Sequence, residues 1–498
     1  MSTINLDKPL VKFSPDPADW WCIREAFEGV QIFGGIGSGK SSGSGKTLAK
    51  AFLKNGFGGL VHCAKPEEKA TWLQYAEETG RSDDIIVFEE GSPYQFNPLQ
   101  YELTREGKGA GEVFNLSNLF MEIYKMGNRF TGASSGDKDR YWDNALRRSL
   151  NRMILLLKLA DKEVSIANMR AIMSSAPNED LTNALSDYTD EQWDQLYNTN
   201  YCIECILDAS AKVEQVREEL EDGNQDKAQV LEELEQDYAL VYAYFLREFA
   251  KADEKTRSIV AESFLGLAEP FIMGVLKTHF ASGLTLSPEV TFGGKIIILN
   301  FSVKEYLDSG MYAQGIFKLL WQQAVERRDT NRYPNPAFLW VDESQYFVNE
   351  YDTIFQTTAR SSRVATVFLT QNISNYYSQM GGGDSSKSKV NSLLGNLSTK
   401  IFHANNDSVT NEWASNVIGK AIITLRSDSQ NRKNFALMAD SKGTSYSGHL
   451  LPQVLPMEFT TLWSGGKQRN YTVQAIIQVK GRKWSNGANF FEVEFSQL

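Results

Sequence analysis

The chain has 498 residues, of which 42% are hydrophobic, and carries a formal net charge of −11 at pH 7. This hydrophobic content can build one large core or two modest cores, and it excludes an intrinsically disordered chain. The acidic balance argues against a surface that coats nucleic acid all over, but it leaves room for a basic channel. Four cysteines in so long a chain predict a reducing compartment, and we expect a cytoplasmic protein.

The apolar runs of the sequence are all short. The longest, at 295–301 and 337–343, fall far below the eighteen or so residues needed to span a bilayer. The first residues, MSTINLDKPLVKF, lack the basic head and apolar block of a signal peptide. We therefore expect no membrane insertion.

The first strong motif is QIFGGIGSGKSSGSGKTLA at 31–49, where an apolar run gives way to glycines and then to a helical pattern. Gly34, Gly39, Lys40 and Ser41 fit the phosphate-binding pattern G-x-x-x-x-G-K-[ST] between a strand and a helix. Glycines let backbone N–H groups turn toward a phosphate, and the helix N-terminus adds positive charge. The predicted nucleotide-binding residues are Gly34, Gly35, Ile36, Gly37, Ser38, Gly39, Lys40, Ser41 and Ser42.

Two residues of this loop have specific predicted roles. Lys40 is expected to bind the β- and γ-phosphates of ATP, and the Ser41 hydroxyl is expected to complete the coordination of Mg²⁺. A second Gly-Lys-Thr at 45–47 competes for this role, but the residue five places before Gly45 is Lys40 and not glycine. A flexible Gly/Ser linker is the non-functional alternative for the whole stretch.

After the loop, strand patterns alternate with helical patterns, which predicts a parallel sheet covered on both faces. The predicted strands lie at 58–64, 84–89, 295–301, 337–343, 364–371 and 399–405. Between the second and third of them, a long helical region interrupts the sheet pattern. Its acidic part, 204–248, fits either a solvated antiparallel helical hairpin or a coiled coil for a partner.

The predicted fold class is therefore α/β, with a P-loop NTPase domain that contains an all-α insertion. The predicted domains are 1–101 for the N-terminal segment and first part of the ATPase domain, 102–265 for the insertion, 266–463 for the second part, and 464–498 for a C-terminal β-hairpin. The hairpin is predicted to turn near Asn486 and Gly487.

A second motif, NPAFLWVDESQYF at 335–347, is a hydrophobic strand that ends in Asp342 and Glu343. Because the carboxyl ends of parallel strands share the edge at which the phosphate loop lies, both carboxylates should face the nucleotide. Asp342 is expected to hold Mg²⁺ through water. Glu343 is expected to orient and deprotonate the water that attacks the γ-phosphate.

The run TTARSSRVATVFLTQN at 357–372 adds further catalytic candidates. Gln371 ends the next strand, where it can sense the γ-phosphate or the attacking water. Arg360 and Arg363 precede that strand, and an arginine given to a neighbouring subunit can neutralise charge that develops in phosphoryl transfer. We expect Arg360 to be this trans-acting group and the other arginine to form a surface salt bridge.

These motifs resemble those of the FtsK–HerA superfamily of ring ATPases and, within it, the TraG/TraD-like type IV coupling proteins of conjugation. The blocks that carry the resemblance are GGIGSGKSSGSGKT, GFGGLVHCAKPEE, FLWVDESQYF, ARSSRVATVFLTQN and IFHANNDSVTNEWASNVIGK. The resemblance implies a RecA-like motor with an inserted all-α domain, which assembles as a hexamer and drives DNA through its centre. It assigns Lys40, Ser41, Asp342, Glu343, Arg360 and Gln371 the roles given above.

The sequence departs from that family in one respect, because conjugative coupling proteins usually begin with membrane helices. The expected protein is a soluble motor that serves a mobile element or an antiphage defence system. Its partners would be DNA and a relaxase-type or effector protein. The alternative function is a nucleotide-dependent scaffold or switch that regulates an effector such as a nuclease.

A DNA contact is predicted for the segment MGGGDSSKSKVN at 380–391. Its glycines predict a mobile loop, and Lys387 and Lys389 could bind the phosphodiester backbone. A disordered surface loop is the alternative. The loop at 129–140 is the next candidate for a DNA contact.

Overall fold

The structure, a computed structural model, describes residues 4–130, 137–221, 225–431 and 441–498. The chain divides into two compact units. The first unit comprises Met1–Ile86, Thr291–Ile298 and Gln322–Leu498. The second unit comprises Val87–Val290 and Leu299–Trp321.

The described strands are β1 Pro9–Lys12, β2 Trp20–Cys22, β3 Val30–Phe33, β4 Gly58–His62, β5 Ile85–Phe88, β6 Ile296–Leu299, β7 Ala337–Val341, β8 Val364–Thr370, β9 Thr399–Phe402, β10 Lys420–Asn431, β11 Ser441–Pro452, β12 Thr472–Val479 and β13 Phe490–Ser496. Among the described residues, nine of these strands form one sheet in the order β13-β12-β9-β3-β8-β7-β4-β6-β5. Strands β3, β8, β7 and β4 are neighbours and run parallel, so their carboxyl ends share one edge. Strands β12 and β13 close the sheet as an antiparallel hairpin.

The described helices are α1 Ile23–Phe27, α2 Lys46–Lys54, α3 Glu67–Glu78, α4 Pro98–Thr104, α5 Val113–Phe130, α6 Asp137–Leu159, α7 Ile166–Ser175, α8 Glu179–Ala184, α9 Asp190–Thr199, α10 Tyr201–Glu221, α11 Ala228–Ala243, α12 Glu254–Ala268, α13 Gly274–Phe280, α14 Val303–Arg327, α15 Glu350–Thr358, α16 Ile373–Gln379, α17 Gly383–Asn396 and α18 Ser408–Ile418. Helices α4 to α13 belong to the second unit. The predicted insertion boundaries, 102 and 265, both fall inside that unit, and their status as domain boundaries stays a prediction.

Within the second unit, the acidic helices α10 and α11 pack on each other through Val213, Val216 and Leu231. No single helix among the described residues is long and apolar enough to cross a bilayer. One pair of helical segments, Glu254–Phe271 and Gly274–Phe280, is long and apolar enough for a membrane span only when the two are counted together, and the chain bends by 77° between them.

The core of the first unit lies on the sheet. Strands β3, β4, β7 and β8 are buried along their whole length, which explains why they read as continuous apolar runs instead of alternating patterns. Helix α2 follows the phosphate loop and buries Phe52, whose ring stacks on Phe57 at 5.0 Å and on Phe338 at 5.6 Å between centroids. This packing fixes the helix on which the loop is mounted.

Most of the predicted strands are confirmed. Strands β4, β5, β6, β7, β8 and β9 lie within the ranges that the apolar runs indicated. The C-terminal hairpin is also confirmed, because β12 pairs antiparallel with β13 and Asn486 and Gly487 lie in the connection.

The prediction of a mobile loop at 380–391 is wrong, because helix α17 begins at Gly383. Val390, Leu393 and Leu394 are buried at helical spacing, so the polar residues before them form the solvated side of an amphipathic helix. The amino groups of Lys387 and Lys389 lie 3.3 Å from Asp384 and 2.6 Å from Glu350, respectively. In the second candidate, the loop at 129–140, residues 131–136 lie outside the described residues.

A further feature that the sequence patterns did not indicate is the ribbon formed by β10 and β11. The two strands pair antiparallel from Lys420 opposite Pro452 to Asn431 opposite Ser441, apart from the large sheet. Ile422 and Leu450 are directly opposite each other and, like Tyr446, are exposed. The ribbon therefore exposes several apolar side chains to solvent, a pattern that differs from the buried runs of the sheet.

Candidate active site

The predicted phosphate loop connects the end of β3 to helix α2. Gly37 and Gly39 have φ values of 73° and 82°, in the left-handed region that glycine adopts without strain. A Cβ atom on Gly39 would lie 2.4 Å from Cγ1 of Val473, so a larger residue cannot be accommodated there without displacing β12. A π-helical turn over Ser41–Gly45 then leads into the helix.

Lys40 and Ser41 reach the two acidic residues at the end of β7. The Ser41 hydroxyl donates a hydrogen bond of 2.8 Å to Oδ2 of Asp342, and Nζ of Lys40 lies 4.0 Å from Oε1 of Glu343. Lys46, the competing lysine, donates instead to the backbone carbonyl of Gln497 at 3.3 Å. The geometry therefore favours the Lys40 register over the alternative one.

The remaining residues of the loop differ in their surroundings. Ile36 is 89% exposed at the loop tip, and the Ser42 hydroxyl accepts a hydrogen bond of 2.8 Å from the Gln497 amide. Ser38 is buried, and its hydroxyl has no hydrogen-bond partner among the described residues. Lys40 is a buried cation whose contact with Glu343 is long. A buried hydroxyl without a partner and a weakly compensated cation suit an anionic group such as a phosphate.

A buried hydrogen bond anchors the start of the loop helix. The Ser44 hydroxyl lies 2.7 Å from Nε2 of His403, and Nδ1 of His403 lies 3.1 Å from the carbonyl oxygen of Gln474. Because a carbonyl can only accept, Nδ1 carries the proton and Nε2 accepts from Ser44. Burial lowers the pKa of His403 to about 3, so this histidine stays neutral and its role is structural.

Glu343 lies two residues after the end of β7 in a left-handed conformation, with φ 44° and ψ 48°. Its amide donates to Oδ1 of Asp342 at 2.8 Å, and the next residue, Ser344, donates from its hydroxyl to the carbonyl of Leu369 at 2.8 Å. Such strain in a residue other than glycine persists only where the surroundings impose it, and it is concentrated at functional sites.

The Glu343 carboxylate is held by three side chains. Oε1 accepts from Lys65 at 2.8 Å and from Gln371 at 3.3 Å, and Oε2 accepts from Gln345 at 3.0 Å. Burial raises the pKa of Glu343, but the hydrogen bonds from Gln345 and Lys65 and the charge of Lys40 outweigh this and lower the pKa to about 2. The carboxylate is therefore ionised at neutral pH.

Two of these contact residues were missed by sequence reasoning. Lys65 follows β4 at the same edge as the phosphate loop, and Gln345 is oriented by a hydrogen bond of 2.7 Å from Thr370 to its side-chain oxygen. The signal for Lys65 was a cation directly after a buried parallel strand, in the block GFGGLVHCAKPEE. Gln345 carried no comparable signal, because it lies in a short turn after the acidic residues.

Arg360 is the one predicted catalytic residue that the described structure does not bring to this cluster. Its guanidinium pairs with Glu28 at 3.3 Å, and its side chain is 55% exposed. It precedes β8, whereas Gln371 follows it, and the seven residues of this strand span about 23 Å. Arg363 donates to the carbonyls of Thr330 and Pro334 at 3.0 and 3.3 Å, so it fastens a turn and forms no surface salt bridge in these contacts.

This fold carries a phosphate-loop motif at the shared carboxyl edge of adjacent parallel strands, the arrangement of a P-loop protein. Residues 336–462 match the family model described as the TraM recognition site of TraD and TraG. No curated protein sequence matches the chain.

Solved structures of the conjugative coupling protein TrwB share the fold. The unbound form of TrwBdeltaN70 superposes with a TM-score of 0.60 at 11% identity, over 100% of this chain and 92% of that chain. TrwB with the ATP analogue ADPNP gives a TM-score of 0.56 at 12% identity, over 97% and 88% of the two chains. TrwB with ADP and Mg²⁺ gives 0.55 at 12%, over 99% and 89%.

These comparisons confirm two predictions. The chain resembles TraG/TraD-like coupling proteins, as its motifs indicated. Its fold class is the predicted one, a RecA-like NTPase fold that includes an all-α region. The roles of the individual site residues stay predictions, and the geometry above supplies their tests.

The first test separates the two lysine registers. Lys40→Ala should weaken ATP binding roughly 10- to 100-fold, because charge-assisted hydrogen bonds of this kind contribute about 1.5–3 kcal/mol. Lys46→Ala is the matched control and should change affinity less than about threefold, since its amino group contacts Gln497. Titration with a fluorescent ATP analogue measures both. The reverse order of the two effects would show that the chosen register is wrong.

Proposed function

We propose that this chain is an ATP-hydrolysing motor that moves DNA. The observation that carries the proposal is the convergence of Lys40, Ser41, Asp342, Glu343 and Gln371 at the carboxyl ends of three neighbouring parallel strands. The fold is shared with TrwB, whose structures include complexes with ADPNP and with ADP and Mg²⁺. This similarity supports ATP as the nucleotide.

The binding roles follow from the geometry of the loop. Lys40 would bind the β- and γ-phosphates, and Ser38 lies in the same loop with a free hydroxyl. Ser41 and Asp342, joined at 2.8 Å, would hold Mg²⁺. When bound, this ion supplies charge neutralisation at the phosphates.

Hydrolysis would use Glu343 and Gln371. Glu343 orients a water molecule and accepts its proton, while the water oxygen forms a bond to the γ-phosphorus. The bond between the γ-phosphorus and the β–γ bridging oxygen breaks, and ADP and phosphate are released. Gln371 contacts both oxygens of Glu343, at 3.3 and 3.4 Å, so it positions the carboxylate as well as the water.

A DNA-moving motor and a nucleotide-dependent scaffold differ in how their rate of ATP hydrolysis responds to added DNA. We expect the wild-type protein to hydrolyse ATP faster when duplex or single-stranded DNA is added. Glu343→Gln should bind ATP with nearly unchanged affinity and lose at least about 10²-fold in turnover, because general-base catalysis contributes on this scale. Nucleotide retention and phosphate release, measured on the same samples, separate binding from hydrolysis.

Two results would contradict this proposal. Turnover of Glu343→Gln at the wild-type rate would remove Glu343 from the chemistry. A wild-type rate of ATP hydrolysis that does not change when DNA is added would favour the alternative, a nucleotide-dependent scaffold or switch. That alternative is supported by the description of the matched family model as a recognition site and by two exposed apolar residues of the ribbon, Ile422 and Leu450. A protein partner of the relaxase or effector type would bind in either case.

We also propose that Arg360 acts on the nucleotide of a neighbouring subunit in a hexameric ring. Its position before β8 separates it from the site of its own chain. Its side chain is more than half exposed, which leaves it accessible to another subunit. In such a ring, hydrolysis depends on assembly.

Mixed rings test the trans role of Arg360. Arg360→Ala and Lys40→Ala should each lose ATPase activity. For Arg360→Ala the rate should fall about 10³-fold, because an arginine that reaches the nucleotide of a neighbouring subunit accelerates phosphoryl transfer by at least this factor. When the two variants are mixed, some interfaces combine the intact Lys40 of one subunit with the intact Arg360 of its neighbour. Part of the ATPase activity should therefore return. Rings shown by mass analysis to contain both variants, yet without activity at any ratio, would rule out the trans role.

A further inference from the structure

Lys65 contacts the catalytic carboxylate more closely than the lysine of the phosphate loop does. Its Nζ atom lies 2.8 Å from Oε1 of Glu343, compared with 4.0 Å for Nζ of Lys40. The Lys65 side chain is 35% exposed and reaches the site from solvent, whereas the Glu343 side chain is 4% exposed. Lys65 follows β4, whose neighbour β7 carries Glu343, so the contact is set by strand pairing.

The carboxylate that Lys65 contacts already has a donor on each oxygen. Oε1 accepts from Lys65 and Gln371, and Oε2 accepts from Gln345 and Gln371. A water molecule that gives its proton to Glu343 must first donate a hydrogen bond to one of these oxygens. The bond from Lys65 is the short, charge-assisted one, so its presence opposes water at Oε1 most strongly.

A second acceptor for Lys65 lies one turn further along the chain. Glu68 is three residues after Lys65, at the start of α3. Its Oε2 atom accepts from the amide of Ala64 at 2.8 Å, which fixes the carboxylate beside Lys65. Its Oε1 atom is buried and has no hydrogen-bond partner among the described residues. Burying a carboxylate oxygen without a hydrogen bond raises the free energy of the folded protein, and a hydrogen bond from a nearby cation would lower it.

We propose that Lys65 is a positioning residue with two partners: it holds Glu343 in the structure seen here, and it moves to Oε1 of Glu68 when Glu343 takes up the attacking water. A lysine suits this movement, because its compact ammonium group sits on a flexible four-carbon stem. The exchange satisfies the unpartnered oxygen of Glu68. Burial and the charge of Asp342 raise the pKa of Glu68 well above its usual value, and the charge of Lys65 opposes this shift. Lys65 therefore restrains hydrolysis until the site is engaged.

This inference rests on the proposed ATPase function, and the variants are chosen to separate the two. Lys65→Met keeps the length of the side chain and removes its charge. This variant should raise kcat for ATP hydrolysis without DNA roughly five- to tenfold and leave KM nearly unchanged. It should also reduce the further stimulation of hydrolysis by DNA. Glu68→Gln removes the carboxyl group that would receive Lys65, so Lys65 stays on Glu343 and turnover should fall.

The double variant is decisive. If Glu68 acts through Lys65, Glu68→Gln should have no further effect in the Lys65→Met background. Effects that multiply in the double variant, or an unchanged rate in Lys65→Met, would overturn the inference and leave the ATPase proposal intact. Absence of hydrolysis in the wild type would overturn both.

One further measurement depends neither on the folding of these variants nor on turnover. In a crystal structure of the wild type with a non-hydrolysable ATP analogue, Nζ of Lys65 should lie within hydrogen-bond distance of Oε1 of Glu68. Lys65 still paired with Glu343 in that structure would contradict the exchange. Lys65→Arg is the conservative variant; its planar, less flexible fork should keep the Glu343 contact and lower DNA-free turnover below the wild-type rate.

Discussion

The hydrogen bond between Ser41 and Asp342 ties together the two motifs on which the whole site depends. The residues are 301 positions apart, and they meet because β8 alone separates β3 from β7 in the sheet. Parallel pairing brings the carboxyl ends of these strands to one edge, so the loop after β3 and the acids after β7 face each other. The long segments between the motifs can vary without moving this contact.

Around that contact, the site is organised by Glu343. Its left-handed backbone turns the chain after the end of β7 and presents the carboxylate to donors from two other segments and from its own turn. Lys65, Gln345 and Gln371 hold it, and Lys40 lies just beyond hydrogen-bond distance. The result is an ionised carboxylate in a fixed orientation, in a strained chain segment of the kind that is concentrated at functional sites.

The sequence contained enough information for the strands and for the residues that end them, because buried parallel strands read as unbroken apolar runs. The contact between Gln345 and Glu343 could not be predicted from the sequence, since Gln345 lies in a turn whose direction depends on the backbone conformation of Glu343. Helix α17 was misjudged because its first half is polar and only its second half carries the buried face. The β10–β11 ribbon has exposed apolar residues, so the rule that apolar runs are buried gave no guidance there.

The claim that Ser41 and Asp342 form the metal-binding half of a nucleotide site can be measured directly. Isothermal titration of ATP, with and without Mg²⁺, gives the gain in affinity that the ion provides. We expect a clear gain in the wild type and the loss of most of it in Asp342→Asn, while the affinity without Mg²⁺ stays nearly the same because Lys40 and the loop are intact. An equal Mg²⁺-dependent gain in both proteins would contradict the site described here.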